Sequence, residues 1–300
     1  MNYTHITVAG SGVLGSQIAY QTAYKGFQVS VYDISEEMLV QARERLARLK
    51  ENYKEDLGVT QQTVDEASDR ISFFSDLARA VANADLVIEA IPEVTHIKTD
   101  FYRRLGKVAP EKTIFATNSS TLLPSQFAEA TGRPARFLAL HFANGIWKNN
   151  TAEVMKHSGT DQKVFQDVIE FAKAIGMIAL PLYREQPGYI LNSLLVPFLD
   201  AAQMLLLNEV ADVETIDKTW MIATGAPEGP FAMLDAVGIT TAYNIVHAQA
   251  DSTGDPAFGK LARLLKTEYI DKGKLGKATG QGFYTYPSPS FLSPSFLRNQ

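Results

Sequence analysis

The chain has 300 residues, 46% of them hydrophobic and 20% charged, which is the composition of a folded protein of about two domains. Its formal net charge of −5 predicts no general attraction to nucleic acid or to an anionic membrane surface. The absence of cysteine excludes disulfides, thiolate metal sites and a thiol nucleophile, and it fits a cytoplasmic location. The N-terminal sequence has no pattern of a secretory signal, so we expect a folded strand there.

The first half of the sequence alternates β-branched runs with longer helical patterns, which predicts βαβ units around a parallel sheet. Helices are predicted at 13–26, 35–54 and 161–176. Strands are predicted at 5–10, 28–33, 71–75, 85–91, 113–118, 137–142, 152–156 and 177–183. Within the strand 85–91, residues 86–91 are apolar except for Glu89, as expected of a strand covered on both faces.

From Pro187 onward the hydrophobic pattern has helical periodicity throughout. The apolar run 189–207 contains too many polar residues to cross a membrane, so we expect a buried or interface helix there. We predict a nucleotide-binding domain at 1–185 that also holds the catalytic residues, a helical substrate and dimerisation domain at 186–286, and a flexible Ser- and Pro-rich tail at 287–300. Because so short a set of apolar helices needs further cover, a homodimer through the helical domain is expected.

A glycine-rich turn, GSGVLG, lies between the first predicted strand and helix. Gly10 permits a tight turn, Gly12 lets the backbone approach a pyrophosphate, and Gly15 lets the helix pack on the sheet. The residues between them, Val13 and Leu14, begin the helix, whose N-terminus offers N–H groups to phosphates. The pattern predicts a dinucleotide-binding loop.

Asp33 ends the second predicted strand, where a carboxylate accepts hydrogen bonds from ribose hydroxyls and repels a 2′-phosphate. This position favours NAD(H) over its phosphorylated form. The alternative is that Asp33 is only a helix cap, with Glu36 completing a capping box.

One of the five histidines, His141, lies where a sheet strand is expected to end at the ligand crevice of an open α/β fold. Histidine can donate or accept a proton near neutral pH. If strands 137–142 and 152–156 pair as antiparallel neighbours, Glu153 meets the ring and fixes its tautomer. The alternatives are a hydrogen-bonded core histidine and a solvated carboxylate at a strand edge.

The sequence resembles the 3-hydroxyacyl-CoA dehydrogenases, enzymes of fatty acid metabolism, over nearly its whole length. The resemblance is carried by VAGSGVLGSQIA, DLVIEAIPE, TIFATNSSTL, LALHFAN, AEVM, PGYILNSLLVPF, GAPEGPFAMLDAVG and GKATGQGFYTY. It implies that His141 is the general acid and base and that Glu153 orients it. It also implies that Ser120 and Asn192 hydrogen-bond the substrate oxygen, and that the cofactor is further contacted by Ser120, Asn144, Glu93 and Lys98.

Several positions depart from the family pattern and bear on the substrate. The histidine motif continues with NGIWKNNT at 144–151, where the family usually has Asn-Pro and a mostly apolar segment. An ungapped alignment puts Glu44 and Glu51 on the helical pair that contacts coenzyme A, where carboxylates are poor partners for an anionic carrier. Ala278 replaces a lysine that reaches the cofactor. The chain is most similar to the diketoreductase branch, which reduces keto esters and in which a tryptophan such as Trp220 lines the substrate space; the alternative for Trp220 is plain core.

Together these patterns predict an α/β protein with an N-terminal Rossmann-type, doubly wound sheet followed by an all-α domain. The predicted function is an NAD-dependent oxidoreductase that interconverts 3-hydroxy and 3-keto acyl compounds, with no metal, nucleic-acid or membrane partner. Two alternatives are a sugar-acid dehydrogenase of the L-gulonate 3-dehydrogenase type and a non-catalytic NAD-binding protein similar to the crystallin relatives of the family.

Overall fold

The computed structural model describes residues 3–298, which divide into a first unit ending at Ile190 and a second unit beginning at Leu191. The first unit contains an eight-stranded sheet in the order β3-β2-β1-β4-β5-β6-β7-β8. The strands are β1 (His5–Ala9), β2 (Gln28–Tyr32), β3 (Ile71–Phe74), β4 (Leu86–Glu89), β5 (Ile114–Thr117), β6 (Phe137–Phe142), β7 (Thr151–Met155) and β8 (Ile178–Leu182). Neighbouring strands are parallel except for the antiparallel pair β6 and β7.

Helices cover both faces of this sheet. They are α1 (Val13–Tyr24), α2 (Glu36–Leu57), α3 (Gln61–Asp69), α4 (Leu77–Val81), α5 (Thr95–Val108) and α6 (Gln162–Ala174). One core cluster joins α1, α2, α3 and α6 to the sheet, and a second joins α4 and α5. The strand order reverses between β1 and β4, so a crevice for ligands is expected at their carboxyl ends. The predicted doubly wound α/β fold is confirmed.

The region between β2 and β5 contains helices that the sequence pattern did not single out. Of the nine residues of α3, only Val64 and Ala67 are buried, so its apolar periodicity is weak. The helix α4 has only five residues, too few to show a period. The strands between these helices lie close to their predicted positions, because buried parallel strands have continuous apolar runs.

The second unit is helical, as predicted. Its helices are α7 (Leu191–Leu207), α8 (Val213–Thr224), α9 (Pro230–Val237), α10 (Ile239–Thr253) and α11 (Pro256–Glu268). They enclose their own core, in which Phe231 and Leu265 are fully buried. Among residues 3–298, no helix has the length and apolar character needed to cross a membrane.

The C-terminal segment 287–298 packs against the helical unit instead of extending freely. Phe291 contacts Tyr284 edge-on, with 5.0 Å between ring centroids, and Phe296 is only 5% exposed. The two phenylalanines occupy the same position in the repeated SPSFL motif. This differs from the expected flexible tail, because each Ser- and Pro-rich repeat carries an aromatic anchor. Residues 299–300 of the predicted tail lie outside the described residues.

Candidate active site

His141 and Glu153 lie directly opposite each other on β6 and β7. The Nδ1 atom of the histidine is 3.1 Å from Oε2 of the glutamate, and both side chains are buried. Directly opposite residues of an antiparallel pair project from the same face of the sheet, which brings their side chains into contact. The expected antiparallel pairing of these two strands is therefore present.

Ser120 contacts the other edge of the same imidazole. It follows β5, is half-buried, and its Oγ lies 3.1 Å from Nε2 of His141. A carboxylate at Nδ1 favours the tautomer that carries a proton on that nitrogen. The Nε2 atom beside Ser120 is thus left as the position at which the ring can gain or lose a proton.

Glu93 holds the loop that presents Ser120. It accepts hydrogen bonds from the Ser119 hydroxyl, from Thr121 N at 3.1 Å and from Thr121 Oγ1 at 2.9 Å. Burial alone would raise the pKa of Glu93, but these hydrogen bonds and the charge of Lys98 lower it to about 2. The glutamate is therefore ionised at neutral pH and fixes this loop.

Lys98 is buried among carboxylates. Its Nζ lies 2.5 Å from Oε1 of Glu89 and 3.2 Å from Oε2 of Glu93. The second oxygen of Glu89 accepts hydrogen bonds from Tyr102 and Thr117, both at 2.8 Å. Glu89 was not predicted as a site residue, although a lone charge in an apolar strand is a signal for such a buried network.

The glycines of the GSGVLG turn have separate structural roles. Gly10 has a φ of +98°, and a Cβ added to it would lie 2.4 Å from the carbonyl oxygen of Ala90. A Cβ on Gly15 would lie 1.9 Å from the carbonyl oxygen of Gly10, so the helix packs closely there. At Gly12 a Cβ would meet nothing within 4 Å, which leaves its backbone accessible to a ligand.

Asp33 is tied to the glycine-rich turn. Its Oδ2 accepts from Ser11 N at 2.8 Å and its Oδ1 accepts from Ile34 N at 2.8 Å. The cap of α2 is Ser35, whose side chain accepts from Met38 N. The alternative in which Asp33 is only a helix cap is therefore wrong.

A cleft of about 630 Å³ opens beside this turn and is lined by Gly12, Asp33, Ile34, His96 and Arg104, among others. Its volume is typical of a cofactor site. The exposed Val13 begins α1, and Leu14 packs against the core. The accessible backbone at Gly12 and the carboxylate of Asp33 beside it fit the binding of a dinucleotide.

The loop after β6 is fixed by Gln17, a buried polar residue of α1. Its Nε2 donates to Oδ1 of Asn144, and its Oε1 accepts from Gly145 N, both at 2.8 Å. Gly145 has a φ of +73°. Gln17 was not predicted from the sequence, where its only signal was an amide within a helix that is largely buried. The amide places Asn144, a predicted cofactor contact, in a defined orientation.

The same loop is attached to α2 by an acid near the end of that helix. Trp147 Nε1 donates to Oδ2 of Asp56 at 2.8 Å, and Lys148 Nζ lies 2.6 Å from Oδ1. The Trp147 ring also lies 5.4 Å from that of Tyr53. Hydrogen bonds from Lys148 and Trp147 lower the pKa of Asp56, which stays ionised. The unusual NGIWKN sequence therefore forms an ordered connection.

Three of the predicted positions belong to the second unit. Asn192 is half-buried near the start of α7, and Ala278 lies in the short helical turn Lys277–Thr279. Trp220 of α8 is 36% exposed and lines an apolar cleft of about 450 Å³ with Phe198. With this exposure Trp220 is not a plain core residue.

Comparison with known proteins gives the family. The model of the 3-hydroxyacyl-CoA dehydrogenase NAD binding domain matches residues 5–185, and that of the C-terminal domain matches residues 188–286. The human mitochondrial hydroxyacyl-coenzyme A dehydrogenase is 36% identical over 287 residues, covering 94% of this chain and 91% of that protein. A probable 3-hydroxybutyryl-CoA dehydrogenase from Bacillus subtilis is 34% identical, covering 95% and 98%.

Among solved structures, a diketoreductase described as acting on dicarbonyl compounds is 55% identical, with a TM-score of 0.91 and coverage of 95% of this chain and 100% of that one. The predicted family resemblance and the predicted NAD(H) cofactor are confirmed. The chain belongs to the 3-hydroxyacyl-CoA dehydrogenase family of NAD-dependent oxidoreductases.

Proposed function

We propose that this protein interconverts 3-keto and 3-hydroxy acyl compounds with NAD(H), and that its substrates are keto esters or related keto compounds not carried on coenzyme A. The observation that carries the reaction is the buried imidazole of His141 between Ser120 and Glu153. The strands β1, β4, β5 and β6 are parallel, so His141 lies at the same edge of the sheet as the nucleotide turn.

In the direction of reduction, the protonated ring of His141 donates its Nε2 proton to the substrate oxygen. Ser120 donates a hydrogen bond to the same oxygen and polarises the carbonyl, with Asn192 as a second donor. The carboxylate of Glu153 accepts a hydrogen bond from the Nδ1–H group and stabilises the imidazolium. When bound, NADH supplies the hydride to the keto carbon. In oxidation the neutral histidine takes the hydroxyl proton.

The residues that would hold the cofactor surround the same sheet edge. The turn from Gly10 to Gly15 offers backbone N–H groups to the pyrophosphate, and Asp33 accepts from the ribose. Asn144 is oriented for the nicotinamide by Gln17. Glu93 would contact the cofactor directly, and Lys98 would contribute by holding Glu93 in an ion pair.

Gly145 supports a substrate other than the usual thioester. Proline, which the family usually has after the asparagine, cannot adopt a φ of +73° and has no N–H to donate to Gln17. The connection between β6 and β7 therefore follows a path that an Asn-Pro sequence cannot take. Its attachment to Asp56 then fixes Trp147 and Lys148 against α2.

The charge on α2 also supports this proposal. Glu44 and Glu51 are exposed on this helix, and Glu51 pairs with Lys54 at 2.8 Å. Coenzyme A is anionic, so exposed carboxylates on the helical pair that contacts it in the family oppose its binding. We infer that the acyl group reaches the site without this carrier.

The proposal assigns the NAD-binding and catalytic roles to residues 1–185 and the substrate and dimerisation roles to 186–286. The helical unit exposes large apolar side chains, among them Leu194 at 69% and Ile222 at 62%, which supports a homodimer. Light scattering at micromolar concentration tests this point, and a monomeric mass contradicts it. A cytoplasmic location stays a prediction, which subcellular fractionation tests.

The substrate class is tested by the rate of NADH oxidation with acetoacetyl-CoA and with a simple 3-keto ester. We expect the higher kcat/KM with the ester. A preference for the thioester of about a hundredfold or more would contradict the proposed substrate class. Oxidation of L-gulonate in preference to both would favour the sugar-acid alternative. Inactivity with every compound of a broad keto panel would favour the crystallin-like alternative.

A further inference from the structure

A tight turn at residues 186–190 reaches the candidate site from the end of the first unit. Tyr189 N donates to the carbonyl of Gln186 at 3.0 Å, which closes the turn. Tyr189 has a φ of +56°, in the left-handed region that side chains other than glycine rarely adopt, and it is 1% exposed. Strain of this kind persists only where the surrounding contacts hold it, and it is concentrated at functional sites.

The ring of Tyr189 lies against the face of His141. The ring centroids are 4.4 Å apart and the ring planes differ by 20°, so the two rings are stacked. The hydrogen bonds of His141 to Ser120 and Glu153 both lie at its edge and fix the line between its nitrogens. These bonds do not contact the face of the imidazole, and the stacked phenol ring packs against that face.

The same turn contacts the other two partners of the histidine. The hydroxyl of Tyr189 donates to the carbonyl of Ser119 at 2.7 Å, in the residue before Ser120. The next backbone N–H, that of Ile190, donates to Oε1 of Glu153 at 2.9 Å. With this left-handed φ, the turn holds the ring against the histidine and the following N–H at the carboxylate.

We propose that Tyr189 is a positioning residue for proton transfer, which supports the His141 ring from its face and fixes the path of the Ser119–Ser120 backbone. The proposal rests on the proposed acid–base role of His141. The electron-rich face of the phenol also lies against this ring, where it attracts a positive charge.

Tyr189 lies among several acids but carries no charge itself. Burial, and then nearby carboxylates, raise the pKa of Tyr189 far above its usual value, so its hydroxyl remains a donor. These carboxylates are Glu93, Glu153, Glu89 and Glu185. A change in pH dependence that Tyr189→Leu shows and Tyr189→Phe does not is thus assigned to the lost ring.

The test compares Tyr189→Phe, which keeps the ring and loses the hydroxyl, with Tyr189→Leu, which loses both. For Tyr189→Leu we expect kcat for ketone reduction to fall between about tenfold and a hundredfold, with the Kd for NADH unchanged. The midpoint of the high-pH fall in kcat should move down by about half a pH unit, since the protonated histidine loses its aromatic face. Tyr189→Phe should keep the wild-type midpoint and lose only a few-fold in kcat.

The matched control is Tyr20→Phe on α1, which also removes a buried hydroxyl that donates to a backbone carbonyl, that of Val64 at 3.1 Å. We expect it to leave kcat and the pH midpoint unchanged. If Tyr189→Leu is unstable, Tyr189→Gly, which accepts the left-handed φ without strain, is measured instead. The pH midpoint of kcat does not depend on the folded fraction of the sample, as long as this fraction is the same at every pH measured.

Two outcomes would overturn the proposal: a wild-type pH midpoint in Tyr189→Leu or Tyr189→Gly, or equal shifts in Tyr189→Phe and Tyr189→Leu. Failure of the underlying acid–base role is distinguished by His141→Ala. If that variant keeps wild-type turnover, the proposed function fails whatever the Tyr189 variants show. If His141→Ala loses turnover while the Tyr189 variants keep the wild-type pH midpoint of kcat, only the positioning role of Tyr189 fails.

Discussion

The strands β6 and β7 and the loop that joins them are held in different ways. His141 and Glu153 are placed by the backbone ladder of a buried strand pair. The loop at 143–150 is placed by side chains from elsewhere, namely Gln17 of α1 and Asp56 of α2. The hydrogen bonds of a backbone ladder depend little on which side chains the strands carry. The position of a loop held by side chains changes when those side chains are substituted. On the proposed function, the strand pair would preserve the reaction while the loop could vary with the substrate.

The largest effect is expected in the strand pair. His141→Ala should lower kcat by about a hundredfold to ten-thousandfold, because it removes the imidazole that is proposed to transfer the proton. Glu153→Gln keeps the shape but loses the charge, so a smaller loss is expected. Initial rates of NADH oxidation at saturating ketone measure both. His157→Ala, which removes a buried histidine bonded to Pro134, is the control, and near wild-type turnover in both site variants would contradict the dyad.

The next effect is expected at the start of the loop. Gly145→Pro should lower the free energy of unfolding by about 2 kcal/mol more than Gly145→Ala, because alanine keeps the N–H that Gln17 accepts. The KM for NADH should rise in the proline variant, since Asn144 is no longer held. Urea unfolding and steady-state kinetics give the two quantities. Equal free energies of unfolding for the two variants would show that the hydrogen bond from the N–H of Gly145 does not stabilise the protein.

A smaller effect is expected where the loop meets α2. Asp56→Asn weakens the pairing with Lys148, so the ratio of kcat/KM for acetoacetyl-CoA to that for a keto ester should rise by about twofold to fivefold. The matched control is Asp65→Asn, which weakens a similar pair with Lys50 on neighbouring helices. The same change in both variants would mean that the loop does not select the substrate.

The smallest effect is expected in the pH dependence of stability. The folded pKa of Glu93, about 2, lies below its ordinary value of 4.5, so its contribution to stability is present above pH 4.5 and is lost as the pH falls toward 2. The difference in free energy of unfolding between wild type and Glu93→Gln should shrink over this interval. Urea unfolding at several pH values measures it. A difference that stays constant with pH would contradict the ionised role of Glu93.

Much of the fold follows from local sequence. The buried strands have apolar runs, the turns have glycines, and the helical unit has a 3.6-residue period, so the α/β sheet and the all-α unit were predictable. The short helices α3 and α4 carry too little apolar pattern to be found in this way. The packing of the SPSFL repeats was missed, because their composition is that of a linker although each contains a phenylalanine.

The site was predictable where function depends on backbone position and not where it depends on distant side chains. His141 and Glu153 follow from strand order and from the spacing of two strands. Gln17 and Tyr189 act on residues far away in sequence, and neither has a local pattern that identifies its partner. Ser35, which caps α2, was also missed as the cap, since Asp33 and Ser35 are both residue types favoured at the start of a helix.

The antiparallel pairing of β6 with β7 also constrains how this protein can change in evolution. Insertions within 143–150, and deletions that leave enough residues to close the hairpin, can leave His141 opposite Glu153, because the register is set by the ladder outside the loop. A single deletion inside β7 would instead turn every following side chain to the opposite face of the sheet. New substrate loops are therefore accessible by ordinary length variation, and the proton-transfer pair is kept at each step.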